Sequence, residues 1–272
     1  MRFGNQLIRL YNTMFMCEIL GCKKIFLEKK NNWYLKNKIN NKKYKISIES
    51  KDLKNLDKLN IIIDESYNMF YFSKIIVPII RVNILRKEII RNLQIIKVNY
   101  NDLFIYIRSG DLFVGSNPHS GYIQPPLCFY KNVLDNYKYK KIFIISENKN
   151  NPVIVKILEK YPNIVYNINP LKIDISYLLN AYNLVGGATS TFLNQILLLN
   201  NNIKIIWDFI FKKHTKYDIN ATFNSFNNNR NIRKYIMYSS NNYYEKMKPW
   251  MNNQSQRDLM INDNCSNSFI LF

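Results

Sequence analysis

Short apolar runs and segments of helical periodicity alternate through the middle of the chain, and this alternation is the strongest constraint on its fold. Apolar runs typical of buried strands span 102–111, 142–146, 163–166, 184–187 and 203–207. Apolar residues at helical spacing predict the helices between them, over 129–137, 153–161, 175–182 and 193–199. Strands that alternate with helices imply right-handed crossovers and a parallel sheet covered on both faces. The sequence therefore predicts the α/β class.

The carboxyl end of the first of these strands carries residues suited to a phosphate-bearing ligand. Arg108, Gly110 and Asp111 close the segment 102–111, and ligands of open α/β sheets bind just outside the carboxyl ends of the strands. The arginine fork matches phosphate oxygens, the glycine lets the backbone come close, and the aspartate can anchor the loop or a sugar hydroxyl. An ordinary strand end with a structural Arg–Asp pair would show the same residues, so both interpretations stand at this point.

Two further strand ends carry groups that could meet the same ligand. Ser190 and Thr191 open a helix after the predicted strand 184–187, where backbone N–H groups and the helix dipole favour an anion and a hydroxyl can also cap the helix. Glu147 follows the predicted strand 142–146, and its carboxylate could accept hydrogen bonds from guanine or be an ordinary solvated loop residue. The absence of a following lysine and of the G-x-G-x-x-G spacing excludes a Walker loop and the dinucleotide fingerprint.

The start of the chain predicts a helix whose first residues are small or polar. Gly4, Asn5 and Gln6 precede apolar residues at helical spacing up to Leu20, and Gly21 is a typical residue just after a helix C-terminus. Amides and N–H donors at such a helix start can meet a substrate, or they can simply cap the helix.

A long loop beside Arg108 supplies candidate groups for an acceptor. It spans 118–126, and loops of this length are often functional. His119 is a candidate general base for an acceptor hydroxyl, because histidine titrates close to neutral pH, although a surface or core histidine is the commoner case. Tyr122 and Gln124 are candidate contacts to an acceptor sugar.

Taken together and in order, these segments resemble the fucosyltransferase-like GT-B glycosyltransferases, especially those of the α-1,2 type. In this chain Gly4-Asn5-Gln6 is similar to the family's G-x-G-N-Q opening, and residues 107–111 are similar to its H-x-R-x-G-D signature. Ser146-Glu147 stands where relatives carry Ser-Asp or Thr-Asp, and residues 190–192 are similar to the family's S-T-F segment. The similarity covers roughly residues 1–210.

The resemblance implies two Rossmann-like domains that face a cleft, a GDP-sugar donor, typically GDP-fucose, and a glycan acceptor. It also implies inversion at the anomeric carbon, with no cofactor and no essential metal. By position, the resemblance implies that Arg108 holds the diphosphate and that Asp111 binds or orients the donor. Ser190 and Thr191 would contact the phosphates, and Glu147 the guanine. Gly4, Asn5 and Gln6 would line the cleft from the other domain.

The sequence departs from the family pattern in two places that bear on activity. Tyr106 stands where relatives usually have histidine, and the family's first strand, with its leading glycine, would precede Arg2. We therefore expect an N-terminal domain with an incomplete start. These departures keep open an alternative function, a degenerate transferase-like protein that binds a nucleotide or a partner without catalysis.

Composition predicts two domains and a tail. We expect an N-terminal domain over 1–97, a C-terminal domain over 98–217, and an Asn-rich tail over 218–272. The resemblance implies that the first is the acceptor-side domain and the second the donor-binding domain, both Rossmann-like. Apolar residues at helical spacing predict a connecting helix over 82–96, and 243–250 could form a helix that returns to the first domain.

The formal net charge of +20 raises a second alternative, a basic nucleic-acid-binding module. Lys, Asn, Ile and Tyr are abundant together, which is typical of codon drift toward A and T, and no nucleic-acid-binding motif is visible. A basic surface would also attract an anionic nucleotide sugar or an anionic membrane surface. We therefore expect substrate steering rather than nucleic-acid binding.

The cysteines and the hydropathy pattern bear on metals and compartment. Cys17, Cys22, Cys128 and Cys265 lack paired C-x-x-C spacing, so a zinc site is not expected and a reducing compartment fits. The sequence shows no signal-peptide layout and no apolar run long enough to span a bilayer, so we expect a cytoplasmic protein.

Overall fold

The chain divides into two compact units, Met1–Ile95 and Ile96–Phe272. The structure is a computed structural model, and the residues it describes are 3–20, 24–28, 38–40, 45–49, 61–62, 79–93, 96–115, 118, 120–187, 190–210, 234–240, 242–265 and 267–271. The boundary between the units falls close to the one that composition predicted after residue 97.

The described residues of the first unit form a small four-stranded sheet and two helices. Its elements are α1 (Phe3–Leu20), β1 (Lys24–Glu28), β2 (Lys38–Asn40), β3 (Lys45–Glu49), β4 (Ile61–Ile62) and α2 (Ile79–Asn92). The strand order is β2-β3-β1-β4; β1 pairs in parallel with β3 and β4, and β2 pairs antiparallel with β3. Leu7, Leu10 and Met14 of α1 are buried, as their helical spacing predicted.

The second unit alternates strands and helices as the sequence predicted. Its elements are β5 (Leu103–Tyr106), a short 3-10 helix (Gly110–Phe113), α3 (Leu127–Asn136), β6 (Ile142–Ile145), α4 (Pro152–Lys160), β7 (Val165–Tyr166), α5 (Leu171–Asn180), β8 (Asn183–Val185), α6 (Thr191–Leu199), β9 (Ile205–Ile210), β10 (Lys234–Ser239), α7 (Tyr243–Met247), α8 (Gln254–Asn262) and β11 (Asn267–Leu271).

The seven strands of this unit form one sheet in the order β11-β10-β9-β8-β5-β6-β7. Every neighbouring pair from β10 to β7 is parallel, and β11 adds an antiparallel edge. The chain runs outward from β5 to β7 on one side and then from β8 to β10 on the other, which is the strand order of doubly wound Rossmann-like sheets. The α/β class is therefore confirmed, with β5 in the interior of the sheet.

The end of the chain belongs to the second unit, which corrects the expectation of an Asn-rich tail over 218–272. Within that range, β10 and β11 extend the sheet, and Tyr243, Met247 and Trp250 are buried in the same core as Leu103 and Ile105. The helix predicted over 243–250 is present as α7, and its Tyr243 and Met247 pack into this core. A few large apolar side chains supply the buried area, whatever the asparagine content around them.

A disulfide joins Cys128 in α3 to Cys265, which lies just before β11. Their Cα atoms are 5.6 Å apart although 137 positions separate the residues in sequence. That separation explains why the sequence analysis did not pair them. In the described parts of the chain, no helix is long and apolar enough to cross a membrane.

Loss of this disulfide should destabilise the second unit. We expect Cys265→Ser to lower the free energy of unfolding by about 3–5 kcal/mol, because the unfolded chain regains the entropy of a long closed loop. Urea denaturation of the oxidised proteins measures this. Cys128→Ser should lose the same amount and the double variant no more; additive losses would contradict a shared bond.

Candidate functional site

The candidate site lies at the point where the strand order of the second unit reverses. β5 pairs with β6 on one side and with β8 on the other, both in parallel. The connections that leave β5 and β8 therefore diverge to opposite sides of the sheet and open a crevice outside the carboxyl ends of these strands. Arg108 follows β5 and Ser190 follows β8, so the fold brings these two predicted site residues to the same edge of the sheet.

Arg108 is a buried cation with few contacts. Its side chain is 7% exposed, and its Nη2 lies 3.7 Å from Oδ1 of Asp111, whose side chain is 56% exposed. The guanidinium carbon lies 4.1 Å from the ring centroid of Tyr122. Arg108 Nε is buried and has no hydrogen-bond partner among the described residues. A charge-assisted hydrogen bond of this type is normally about 2.7–2.9 Å long, so among the described residues the ion pair with Asp111 satisfies only part of the guanidinium's hydrogen-bonding capacity.

Asparagines from the loop after β6 hold the backbone around Arg108. Asn151 Nδ2 donates to the carbonyl oxygen of Arg108 at 3.0 Å, and the backbone N–H of Asn151 donates to Oγ of Ser109 at 2.9 Å. Asn148 Oδ1 accepts from Ser109 Oγ at 2.6 Å and from the N–H of Gly110 at 3.2 Å. These interactions fix the direction in which the chain leaves β5.

The sequence analysis missed this bracing role of asparagine. One signal was present for Asn151: it stands directly before Pro152, a pairing typical of a helix start. Its Oδ1 indeed accepts from the N–H of Val153 and caps α4. Asn148 offered no comparable signal in a chain rich in asparagine.

Glu147 lies against the backbone of Gly110. Gly110 has a φ of +64°, and a Cβ at this position would collide with the Glu147 carboxylate. Glycine is therefore required both by its left-handed backbone and by the close approach of the glutamate. The fold thus gathers Arg108, Gly110, Asp111 and Glu147 around the carboxyl ends of β5 and β6, as the sequence predicted.

Ser190 is the cap of α6. Its Oγ accepts from the N–H of Leu193 at 3.3 Å and lies 3.3 Å from the hydroxyl of Tyr106, where either group could donate. Tyr106 also packs on Phe192 with 5.3 Å between the ring centroids. The capping interpretation of Ser190 is confirmed. Thr191 begins α6, and its side chain lies outside the described residues.

The predicted acceptor contacts fall into different environments. Tyr122 covers the Arg108 guanidinium. Gln124 is fully buried, and its Nε2 donates to the carbonyl oxygens of Tyr122 and Ile123, each at 3.1 Å. Gln124 therefore braces its own loop, which differs from the predicted contact with an acceptor. His119 lies outside the described residues.

Gly4, Asn5 and Gln6 lie in the first turn of α1, in the first unit. Gly4 and Gln6 are buried and Asn5 is half-buried. They are thus part of the helix itself rather than residues that precede it. Their predicted role in a cleft remains a prediction.

One group of potential metal ligands occurs within the described residues. The ligand atoms of Cys128, Asp263 and Cys265 lie within 4.8 Å of one another. The two sulfurs of this group form the disulfide with each other, so in this state they are not thiolate ligands.

Comparison of the chain with models of known protein families, with curated proteins and with solved structures found no match. The strand order and the side chains at the reversal point are therefore the features that bear on function. Chemically they offer a preoriented, poorly solvated cation at the carboxyl edge of the sheet, where ligands of open α/β sheets generally bind.

The bracing by Asn151 can be separated from helix capping. Asn151→Ala should lower the free energy of unfolding by about 2–4 kcal/mol, because it removes a cap and also leaves the buried carbonyl of Arg108 without its donor. Asn253 caps α8 through its Oδ1 but is exposed, so Asn253→Ala should cost only about 1 kcal/mol. Equal losses in urea denaturation would contradict the bracing role.

Asp174 of α5 is a buried carboxyl group that the sequence analysis did not single out. It is 8% exposed and accepts a hydrogen bond from Asn169 Nδ2 at 3.1 Å. Burial raises the pKa of Asp174 from 3.8 to about 6, although the bond from Asn169 opposes this shift. The folded protein therefore binds this proton more tightly than the unfolded chain does. The resulting contribution to the free energy of unfolding is lost as the pH rises through 6, the pKa of Asp174 in the folded protein.

Asp174→Asn should remove this dependence on pH. We expect the stability of the variant relative to the wild type to increase between pH 4 and pH 7, since the neutral amide avoids ionisation in a buried position. Urea midpoints at both pH values measure the difference. Asp258→Asn, a change in an exposed carboxylate of α8, is the control and should show no comparable trend. A constant difference for Asp174→Asn would contradict the raised pKa.

Proposed function

We propose that this protein is an inverting glycosyltransferase that moves a sugar, with fucose as the first candidate, from a GDP-sugar to a glycan hydroxyl. The observation that carries the proposal is the buried guanidinium of Arg108, placed where the strand order of the sheet reverses. Its position agrees with the H-x-R-x-G-D resemblance, in which the arginine holds the diphosphate of the donor.

Electrostatics favours a multivalent anion beside Arg108. Removing a cation from water is costly unless a close counter-ion and hydrogen bonds replace the lost hydration. Asp111 lies 3.7 Å away and is largely exposed, so it offsets only part of that cost. A diphosphate presents several oxygens, and a guanidinium can bind two of them at once.

The same contact would assist the chemistry. As the bond between the sugar and the diphosphate breaks, negative charge accumulates on the departing GDP. A guanidinium already held in place stabilises that charge without reorganisation. The N-terminus of α6 lies after β8 at the same edge of the sheet, and its dipole favours negative charge there.

Glu147 is the proposed reader of the guanine. Its carboxylate can accept two hydrogen bonds from the N–H groups on one edge of guanine, which adenine and uracil do not present in the same pattern. The left-handed glycine at position 110 lets the glutamate approach the backbone beside Arg108. The donor's base and diphosphate would then be bound by residues that follow adjacent strands.

Arg108 is the first residue to test. Arg108→Lys keeps the charge but loses bidentate geometry, so the transition state should lose about 2–4 kcal/mol of stabilisation. The value of kcat/KM for GDP-fucose should then fall roughly 30- to 1000-fold. Arg108→Ala should lose more, with its circular dichroism spectrum preserved. The assay follows donor hydrolysis and transfer to an oligosaccharide panel.

Arg91→Ala is the matched control, because Arg91 is an exposed residue of α2 that pairs with Glu88. It should leave turnover unchanged. If the wild type turns over GDP-fucose and Arg108→Ala does so almost as fast, the mechanism is wrong. Binding of GDP without turnover in the wild type would favour the degenerate transferase. Salt-dependent binding of RNA or DNA that GDP does not affect would favour the nucleic-acid module.

Nucleotide preference tests Glu147. GDP should raise the melting temperature of the wild type more than ADP or UDP, because a ligand that binds only the folded state stabilises it. Glu147→Gln should reduce this preference, since one acceptor oxygen becomes a donor. Glu159→Gln changes an exposed carboxylate of α4 and should leave the preference intact. Equal thermal shifts with all three nucleotides would remove Glu147 from the site.

A further inference from the structure

The loop that carries Tyr122 is held by the C-terminal part of the chain. We call residues 112–124 the Tyr122 loop and residues 243–265 the C-terminal brace. The loop begins in the last two residues of the 3-10 helix after β5 and ends shortly before α3, and beyond Phe113 its described residues form no helix or strand. Its buried backbone carbonyls must therefore find hydrogen-bond donors outside a helix or a sheet.

The C-terminal brace provides these donors. Trp250 Nε1 donates to the carbonyl of Leu112 at 3.1 Å, and Tyr243 Oη donates to the carbonyl of Gln124 at 2.8 Å. The backbone N–H of Trp250 donates to the carbonyl of Ser120 at 2.9 Å. The two ends and the middle of the Tyr122 loop are thus bonded to two neighbouring parts of the brace.

Packing reinforces these hydrogen bonds. The ring of Trp250 meets the ring of Phe113 edge-on, with 5.4 Å between centroids. Arg257 Nη2 donates to the carbonyl of Phe113 at 3.3 Å. The loop therefore packs against Trp250 on the side where the brace lies.

The C-terminal brace is itself tied to the body of the second unit. Gln256 is buried and donates from Nε2 to the carbonyls of Met247 and Pro249, at 2.9 and 2.8 Å. This joins α8 to α7. The Cys128–Cys265 disulfide then fastens the end of the brace to α3, the helix that follows the Tyr122 loop.

We propose that Trp250 and Tyr243 are positioning residues that hold Tyr122 over the guanidinium of Arg108. The ring of Tyr122 lies 4.1 Å from the guanidinium carbon, a cation–π contact that fixes the plane of the arginine fork and shields it from water. The brace acts on Arg108 through the loop and does not itself touch the ligand. The inference rests on the proposed function only in taking GDP as the ligand of the Arg108 site.

Two tryptophans permit a matched test. Trp207 and Trp250 are both buried in the second unit, at 0% and 1% exposure. Trp207 Nε1, unlike that of Trp250, has no hydrogen-bond partner among the described residues. Trp250→Phe and Trp207→Phe therefore make the same chemical change in similar surroundings, but only the first removes a donor to the Tyr122 loop.

The first readout is the accessibility of Arg108, measured as its rate of modification by phenylglyoxal with peptide mass spectrometry. Trp250→Phe should raise this rate by about tenfold. The variant loses one hydrogen bond of ordinary net strength, so the loop should open more often and expose Arg108 to the reagent. Trp207→Phe should leave the rate within about twofold of wild type, because its indole N–H donates to no group in the loop. Tyr243→Phe, which removes only a hydroxyl, should behave like Trp250→Phe and serves in its place should Trp250→Phe not fold.

The second readout is the effect of Trp250→Phe on GDP affinity, measured once with Arg108 intact and once in an Arg108→Ala background. Trp250→Phe should weaken GDP binding in the wild type but cause no further loss in an Arg108→Ala background, since the brace acts through Arg108. Equal losses in both backgrounds, or equal modification rates for the two tryptophan variants, would overturn the inference. If the wild type does not bind GDP, the proposed function fails, while phenylglyoxal modification still decides the positioning role.

Discussion

The burial of one guanidinium group at the end of an interior strand is the interaction on which the candidate site depends. Arg108 could not remain out of water unless the backbone around it were fixed, and Asn148 and Asn151 provide that fixation from the loop after the neighbouring strand. Because both loops follow parallel strands, the supporting asparagines and the arginine arrive at the same edge of the sheet. Burying the charge in this way is costly unless a counter-charge and hydrogen bonds compensate it.

The outer side of this site is built from a part of the chain far away in sequence. The Tyr122 loop obtains its hydrogen-bond donors from the C-terminal brace, and the disulfide secures the brace to α3. An irregular loop over a buried charge needs such support, because a misplaced aromatic ring would expose the charge that it covers. The disulfide thus fastens to α3 the segment that supports the loop covering Arg108.

Sequence reasoning succeeded where local pattern and sheet geometry were sufficient. It placed Arg108, Gly110, Asp111 and Glu147 at the carboxyl ends of predicted strands, and the structure shows that these two strands, β5 and β6, are parallel neighbours. It misjudged Gln124, since a glutamine in a loop can face a ligand or satisfy the carbonyls of its own loop, and only packing decides between them. The core role of Tyr243 and Trp250 was also hidden, because composition averaged over an Asn-rich segment conceals a few large apolar side chains.

The sequence by itself determined the alternation of strands and helices in the second unit, the α/β class, and the presence of a cation, a glycine and a carboxylate at strand ends. Periodicity reports which face of an element is apolar, and this information is local. The tertiary structure alone decided the reversal of strand order at β5, the burial of Arg108, and the pairing of Cys128 with Cys265. These depend on which distant segments become neighbours, because the free energy of burying a charge or closing a long loop is set by contacts that no local pattern contains.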